Sequence, residues 1–181
     1  MKILRIILWS ICLSLIYQPV FALDGISINT GFGSDDTTMT RVGLEFKWDK
    51  KWFAESSWYL TGQWEGGFAL WKGSRGTSGN DLIAKFDITP VLRLNSRTLY
   101  FGVIQPYLEG GVGANLLMDR QIGDIKMAEP LLFGSQAGGG LGFGPNRLFE
   151  LGYRFEHLSN AGINSPNPSF NFHLVSVACH F

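Results

Sequence analysis

Cysteine is scarce in this sequence, which has only Cys12 and Cys179 among its 181 residues. Cys12 lies in an N-terminal segment that the pattern below predicts to be removed on export, so Cys179 is left without a partner. A disulfide framework is therefore excluded. Cys179 has neither the second thiol nor the clustered histidines of a zinc or redox site, and we interpret it as a small apolar side chain.

Long hydrophobic runs are also missing, except at the N terminus. There, Lys2 and Arg5 precede an apolar run over residues 6–17, and Val20 and Ala22 supply the small-x-small pattern of a signal-peptidase site. The run is too short to cross about 30 Å of hydrocarbon as a membrane anchor. The pattern predicts a signal peptide that is cleaved after Ala22, and therefore an exported protein.

The sequence has no excess of either charge, because 15 basic residues face 15 acidic ones. Loss of residues 1–22 removes Lys2 and Arg5 and leaves 13 basic residues, a net charge of −2. Without a basic excess, no nucleic-acid partner is expected. Neither a charge run nor a low-complexity tract marks a boundary, so residues 23–181 are predicted to form one domain.

Apolar and polar side chains alternate with period two along the rest of the chain. Over residues 40–48, one face carries Val42, Leu44, Phe46 and Trp48, and the other carries Arg41, Glu45 and Lys47. Such alternation is typical of strands with one apolar face. Eight segments are predicted as strands, near 24–34, 39–49, 57–72, 80–94, 101–117, 130–143, 147–158 and 169–181. An even number of strands of this length is typical of transmembrane barrels.

The connections between these strands alternate in length. Turn-like segments follow the even-numbered strands, as at 95–97 and 144–146, while the connections at 73–79, 118–129 and 159–168 are longer. Short periplasmic turns and longer outer loops are usual in outer-membrane barrels. The predicted fold class is all-β, an eight-stranded antiparallel transmembrane β-barrel.

A soluble β-sandwich or lipocalin-like barrel would show the same alternation, with its apolar face inside. The C terminus favours the membrane barrel, because its last strand ends in the aromatic Phe181. This ending resembles the signature that the barrel-assembly machinery of Gram-negative outer membranes recognises. Five aromatic residues near strand ends are interpreted as a girdle at the membrane interface: Trp48, Trp52, Phe53, Trp58 and Trp71.

The polar face of each strand must then point into a barrel too narrow for a channel. The charged residues with inward parity are Arg41, Glu45, Glu65, Glu109, Glu150, Arg154 and Glu156. Buried charges of both signs are expected to pair, so we interpret these residues as an internal salt-bridge network.

The apolar outer row of the seventh strand ends in His157 and Ser159. Two residues apart on one strand face, their Cα atoms lie about 6.5 Å apart, which permits a base–nucleophile pair. With both termini in the periplasm this strand ends at the outer leaflet, where lipopolysaccharide carries its ester-linked acyl chains. Asn171 returns on the last strand and is expected to face lipid beside His157. The alternative is that a polar His and Ser simply mark the water interface.

The sequence lacks the motifs of an α/β-hydrolase, a phosphate-binding loop and a metal site. It has no Gly-x-Ser-x-Gly elbow. The three glycines at 138–140 have no lysine or following helix that would cradle a phosphate, and no spacing of His, Asp and Glu resembles a metal site. No cofactor or metal is therefore predicted.

The run 157–162, His-Leu-Ser-Asn-Ala-Gly, followed by Pro166 and Asn167, resembles the signature of the lipid A 3-O-deacylases of the PagL family. The resemblance extends over nearly the whole mature chain, through Trp48-Asp49-Lys50 with Trp52, Leu60-Thr61-Gly62 with Trp64, and Trp71 with Gly73. It implies an eight-stranded outer-membrane barrel that hydrolyses the 3-O-linked 3-hydroxyacyl chain of lipid A, with its site facing the outer leaflet.

The resemblance also implies roles for individual residues. Ser159 would be the nucleophile and His157 the general base and then acid. The Asn160 side chain and backbone N–H groups near Ala161 and Gly162 would stabilise the oxyanion. Asn167 matches a further family position and is expected to support the site.

One position departs from the family, which has a glutamate where this chain has Asn171. Asparagine can orient an imidazole but cannot stabilise the imidazolium by charge, so a slower enzyme is expected. The alternative is a catalytically weak or silent structural or adhesive barrel, and a third interpretation is an acyltransferase with the same chemistry. The sequence leaves open whether the barrel forms a homodimer.

Overall fold

The computed structural model describes residues 22–73 and 81–181. The segment interpreted as a signal peptide lies outside the described residues, apart from Ala22, so its removal stays a prediction. Among the described residues, no helix is long and apolar enough to cross a membrane.

Ten strands are present in the described part of the chain: β1 (Gly25–Gly33), β2 (Thr38–Lys47), β3 (Trp58–Lys72), β4 (Leu82–Ser96), β5 (Ile104–Leu117), β6 (Gln121–Ile122), β7 (Ile125–Lys126), β8 (Leu131–Phe143), β9 (Phe149–Ser159) and β10 (Phe170–His180). Eight of them close into an antiparallel barrel in the order β1-β10-β9-β8-β5-β4-β3-β2. The predicted barrel and its eight strands are confirmed, with bounds within three residues. The short hairpin of β6 and β7 was not predicted.

The exposure of alternating side chains along β9 shows which face of the sheet is the barrel exterior and which is the interior. Leu151 and Tyr153 are about half exposed, at 49% and 48%, whereas Arg154 and Glu156 are buried inside at 3% and 5%. The same alternation runs through β1 and β2. An apolar exterior with a polar interior is the arrangement that hydrocarbon around the barrel requires.

The interior charges form the predicted network. Arg154 bridges Glu65 and Glu109, with Nη1 to Oε2 and Nη2 to Oε1 distances of 2.8 and 2.7 Å. Arg41 binds Asp87 at 2.6 Å. The other close pairs are Lys85 with Glu156, Arg93 with Glu109 and Glu150, Arg147 with Glu150, and His180 with Glu45. The prediction named five of the six carboxylates and two of the four arginines, but it missed Lys85, Asp87, Arg93, Arg147 and His180.

The two ends of the barrel interior differ in character. The end that carries both termini is polar, while the opposite end is filled by apolar side chains. Trp71 belongs to this apolar cluster, and its assignment to the interfacial girdle is wrong. It is fully buried, its Nε1–H donates to Met39 Sδ at 2.8 Å, and its ring packs on Phe170 and Phe172 at 5.3 and 5.1 Å. Its inward parity on β3 outweighs its place near the strand end.

The connections follow the predicted lengths in part. At the terminal end, 97–103 and 144–148 are short, but 48–57 has ten residues, as many as 160–169 at the other end. This segment is longer because it folds back on β3, where Trp52 and Leu60 exchange both backbone hydrogen bonds at 2.9 and 3.0 Å. Trp48 lies over Gly62, where a Cβ would collide with its indole ring.

Candidate active site

The site lies where β9 ends, at the end of the barrel away from the termini. His157 is in register with Asn171 on β10 and with Ser135 on β8, and Ser159 is in register with Phe133. His157, Ser159 and Asn171 are all partly exposed on the outer face of the barrel. The predicted parity of the three residues is confirmed.

His157 and Asn171 form a direct hydrogen bond, with 2.7 Å between Nδ1 and Oδ1. An amide oxygen only accepts, so Nδ1 carries a proton, and in the neutral imidazole Nε2 then has a free lone pair. This is the tautomer that a general base needs.

Asn171 is itself held by the turn between β1 and β2. Its N–H donates to Ser34 Oγ at 3.2 Å, and its carbonyl accepts from the Ser34 N–H at 2.9 Å. The imidazole is thus oriented by a residue that two strands and a turn fix in place.

Ser159 is the last residue of β9 and shares its outer face with His157. Within the described ranges, Ser159 Oγ makes no hydrogen bond to the imidazole or to any other group. Hydrogen bonds of catalytic groups often tighten only when substrate is bound, and the spacing on one strand face permits this one.

Asn160 organises the loop that follows Ser159. Its side chain is 2% exposed, with Oδ1 accepting from the Gly162 N–H at 2.9 Å and Nδ2 donating to Asn164 O at 2.8 Å. Its own N–H donates to Asn167 Oδ1 at 2.8 Å. The side chains of Asn160 and Asn167 therefore both shape the loop.

Ala161 and Gly162 have left-handed backbone angles, with φ of 55° and 74°. Two successive residues of this kind make a tight turn, which leaves their backbone N–H groups outside the sheet. Gly162 has already donated its N–H to Asn160, whereas the Ala161 N–H has no partner among the described residues.

A second segment, residues 118–130, contacts the loop that follows Ser159 and holds it in place. The Ala128 N–H donates to Pro166 O at 3.1 Å, and Asn164 Nδ2 donates to Glu129 Oε1 at 2.6 Å. The segment is anchored by Ile122 and Met127, which are 2% and 5% exposed in the apolar cluster at this end. Sequence reasoning missed Glu129 and Asn164, because nothing in their spacing relates them.

Other polar groups near the site are engaged elsewhere. Tyr153 Oη and His173 Nδ1 lie 2.5 Å apart on the outer face, and the His173 ring stacks on Phe32 at 5.5 Å. Glu156 points inward to Lys85. In the part of the chain that the structure describes, no cluster of three or more His, Cys, Asp or Glu is arranged to hold a metal ion.

The fold and the side chains at the end of β9 define a class of protein: a transmembrane β-barrel with a histidine, a serine and an asparagine together on its outer face. The family model of the lipid A 3-O-deacylases (PagL) matches residues 38–180. The chain belongs to this family, and it is a carboxylic ester hydrolase.

Known proteins agree with this assignment. The lipid A deacylase PagL of Pseudomonas aeruginosa is 32% identical over 128 residues, 70% of this chain and 69% of the relative. PagL of Bordetella bronchiseptica is 34% identical over 75 residues, 41% of each chain. A crystal structure of the outer membrane enzyme PagL has a TM-score of 0.76 at 26% identity and covers 87% of this chain and 99% of its own. Neisserial surface protein A, at 10% identity and a TM-score of 0.51 over 87% of this chain and 94% of its own, shares the fold alone.

Proposed function

We propose that this protein hydrolyses the ester that links the 3-hydroxyacyl chain to the 3-position of lipid A, with Ser159 as nucleophile and His157 as base. The observation that carries the proposal is the hydrogen bond from His157 to Asn171 on the outer face of the barrel. His157 lies two residues before Ser159 on β9. It supplies an oriented imidazole with a free Nε2 beside a hydroxyl, in a chain of the deacylase family.

The reaction follows acyl transfer in two steps. In the first, Ser159 Oγ forms a bond to the ester carbonyl carbon while its proton moves to His157 Nε2. The bond from that carbon to the sugar oxygen then breaks, and His157 returns the proton to the sugar oxygen. In the second step His157 takes a proton from water, the water oxygen attacks the acyl-enzyme, and a 3-hydroxy fatty acid leaves as Ser159 regains its proton.

The oxyanion of each step needs donors, which the loop after Ser159 can provide. The Ala161 N–H has no hydrogen-bond partner within residues 22–73 and 81–181, and Asn160 Nδ2 has a second proton beyond the one it donates to Asn164 O. Gly162 becomes a donor only when its bond to Asn160 Oδ1 is exchanged for one to substrate. Donors placed at a developing oxyanion contribute about 10²–10³ in rate each.

A site on the outside of a barrel suits a substrate that never leaves the membrane. Val112, Phe133 and Tyr153 are exposed on the outer face around the site, where acyl chains would contact them. With both termini in the periplasm, the end of β9 lies at the outer leaflet, and lipid A occupies that leaflet in Gram-negative bacteria. We place the site at this leaflet of the outer membrane.

Asn171 favours a second candidate, a structural or adhesive barrel that has lost activity. Its amide cannot stabilise the imidazolium by charge. Against this candidate stands the presence of Ser159, His157 and Asn160 together at the end of β9, where hydrogen bonds hold the side chains of His157 and Asn160.

The experiment is incubation of the purified, folded barrel with lipid A in mixed micelles, with mass spectrometry of every product. Hydrolysis gives lipid A lighter by one 3-hydroxyacyl group, together with free 3-hydroxy fatty acid. An acyltransferase would give the same lipid A with the chain on a second lipid. Unchanged lipid A at high enzyme concentration and long times would support the silent barrel and overturn the proposal.

Assembly into the membrane is a separate part of the proposal. Phe181 follows β10 directly, is 69% exposed, and has the position of an outer-membrane assembly signal. Deletion of Phe181 is expected to lower the amount of folded barrel in the outer membrane while leaving refolding in detergent intact. Equal amounts of folded barrel in the outer membrane with and without Phe181 would exclude this role.

A further inference from the structure

A cavity of about 710 Å³ opens at the end of the barrel that carries both termini. It lies on the opposite side of the apolar cluster from Ser159. The ends of β2 and β4 and the starts of β3 and β5 contribute its walls, together with the turn before β9. None of the residues assigned to ester hydrolysis lines it.

Cationic side chains dominate this cavity. Five of them line it, against one carboxylate, Glu150: Lys47, Lys51, Arg93, Arg97 and Arg147. Arg93 and Arg147 are accounted for, since both bind Glu150, with N–O distances of 2.8 and 2.7 Å. Lys47, Lys51 and Arg97 have no carboxylate within 4 Å among the described residues.

The barrel interior needs at most one of these three cations for its own charge balance. Its ion pairs already join six carboxylates (Glu45, Glu65, Asp87, Glu109, Glu150, Glu156) to five cations (Arg41, Lys85, Arg93, Arg147, Arg154) and His180. Lys47, Lys51 and Arg97 therefore leave a surplus of positive charge where the cavity opens, at the barrel mouth beside the termini. Asp49 and Glu55, in the neighbouring turn, do not line the cavity.

Two of the surplus cations converge on one aromatic ring. Lys51 Nζ and Arg97 Cζ lie 6.0 and 5.9 Å from the centre of the Tyr59 ring. Arg97 is also fixed by its Nε–H, which donates to Ser56 O at 3.2 Å. Tyr59 has inward parity on β3, so both charges are held at the barrel mouth, not spread into lipid.

The cations at the mouth are accessible to a ligand. Lys47, Lys51 and Arg97 line the cavity, and all three are exposed. An oxyanion would pair with this charge, because its oxygens accept several hydrogen bonds from cationic donors at once.

We infer that this cavity is a binding site for a small oxyanion of the phosphate type, held by Lys51 and Arg97 with support from Lys47. The site is independent of the ester hydrolysis proposed above, because it lies at the other end of the barrel. Its positive charge is held in place by Tyr59 and Ser56, while guanidinium and ammonium groups supply the charged hydrogen bonds that phosphate prefers.

The test is titration of the folded barrel in nonionic micelles with inorganic phosphate, followed by calorimetry at constant ionic strength set with chloride. Saturable binding is expected, with a Kd of about 1 mM. Lys51→Gln and Arg97→Gln are each expected to weaken binding by about fivefold or more, as loss of one charge-assisted hydrogen bond implies. Gel mobility with and without heating checks that each variant is folded.

Lys126→Gln is the matched control, since it removes one exposed lysine at the opposite end of the barrel. Its Kd for phosphate is expected to stay within about twofold of the unmodified protein. Absence of saturable binding in the unmodified protein would overturn the inference. So would an equal loss in Lys126→Gln and Lys51→Gln, because the attraction would then reflect net charge alone.

Discussion

His157 Nδ1 and Asn171 Oδ1 lie 2.7 Å apart across β9 and β10, so the residue that orients the imidazole is an amide. The bond fixes the tautomer and the ring orientation as a carboxylate would. It leaves out the charge that would stabilise the imidazolium in the proposed reaction, where Ser159 gives its proton to His157. Orientation and charge are thus separated at this position, and substitution of Asn171 can measure each.

Asn171→Ala is expected to lower kcat for lipid A ester hydrolysis by about tenfold or more, since the imidazole loses its partner. Asn171→Glu is expected to raise kcat, with the roughly 10⁴-fold cost of a carboxylate-to-amide change as the upper limit. Initial rates on purified lipid A measure both. If neither variant differs from the unmodified enzyme, Asn171 does not act on His157.

Glu129 is expected to act as a positioning residue through Asn164. Glu129→Ala removes the acceptor of the 2.6 Å bond from Asn164 Nδ2 and loosens the loop that carries the proposed oxyanion donors. We expect kcat to fall by about fivefold with KM unchanged. This loss is smaller than the factor of about 10²–10³ in rate that one oxyanion donor contributes, because the donors are displaced but not removed.

Two further variants separate this role from the loss of negative charge at the end of the barrel that carries Ser159. Glu129→Gln keeps an acceptor oxygen and is expected to retain nearly full activity. Asp36→Asn removes a carboxylate from the exposed turn at the same end and is expected to have no effect. A loss of kcat in Glu129→Gln equal to that in Glu129→Ala would exclude positioning through this hydrogen bond.

Arg154 is expected to be a main support of the barrel. Arg154→Ala would leave Glu65 and Glu109 buried without the guanidinium that now lies 2.8 and 2.7 Å from them. Removal of one partner of a buried ion pair costs about 3–5 kcal/mol of unfolding free energy. Urea titrations in micelles measure the change, and Lys50→Ala, at an exposed site, should alter it by less than about 1 kcal/mol. Equal midpoints for the two variants would contradict this role.

Much of the fold could be predicted because period-two alternation is a local signal. The same parity placed Arg154 and Glu156 inside, and His157 and Ser159 outside, which set the site on the outer face of β9. Pairing Asn171 with His157 needed only the assumption that β9 and β10 are antiparallel neighbours.

The features that could not be predicted depend on contacts between loops or across the barrel. Trp71 was assigned by its nearness to a strand end, although Phe170 and Phe172, about a hundred residues away, enclose it. The bond between Asn164 and Glu129 joins two loops whose courses no local pattern specifies. Lys85 and Arg93 were missed because the apolar Ile83 and Val91 share their inward face on β4 and weaken the alternation there. Their partners also lie on other strands.

The role of Ser159 is tested most directly by mass spectrometry of lipid A from cells that express the protein or its Ser159→Ala variant at equal levels in the outer membrane. We expect the unmodified protein to yield lipid A lighter by one 3-hydroxyacyl group. The variant, with a folded barrel but no nucleophile, should leave lipid A unchanged. Loss of the same acyl group in cells that express Ser159→Ala would contradict the account.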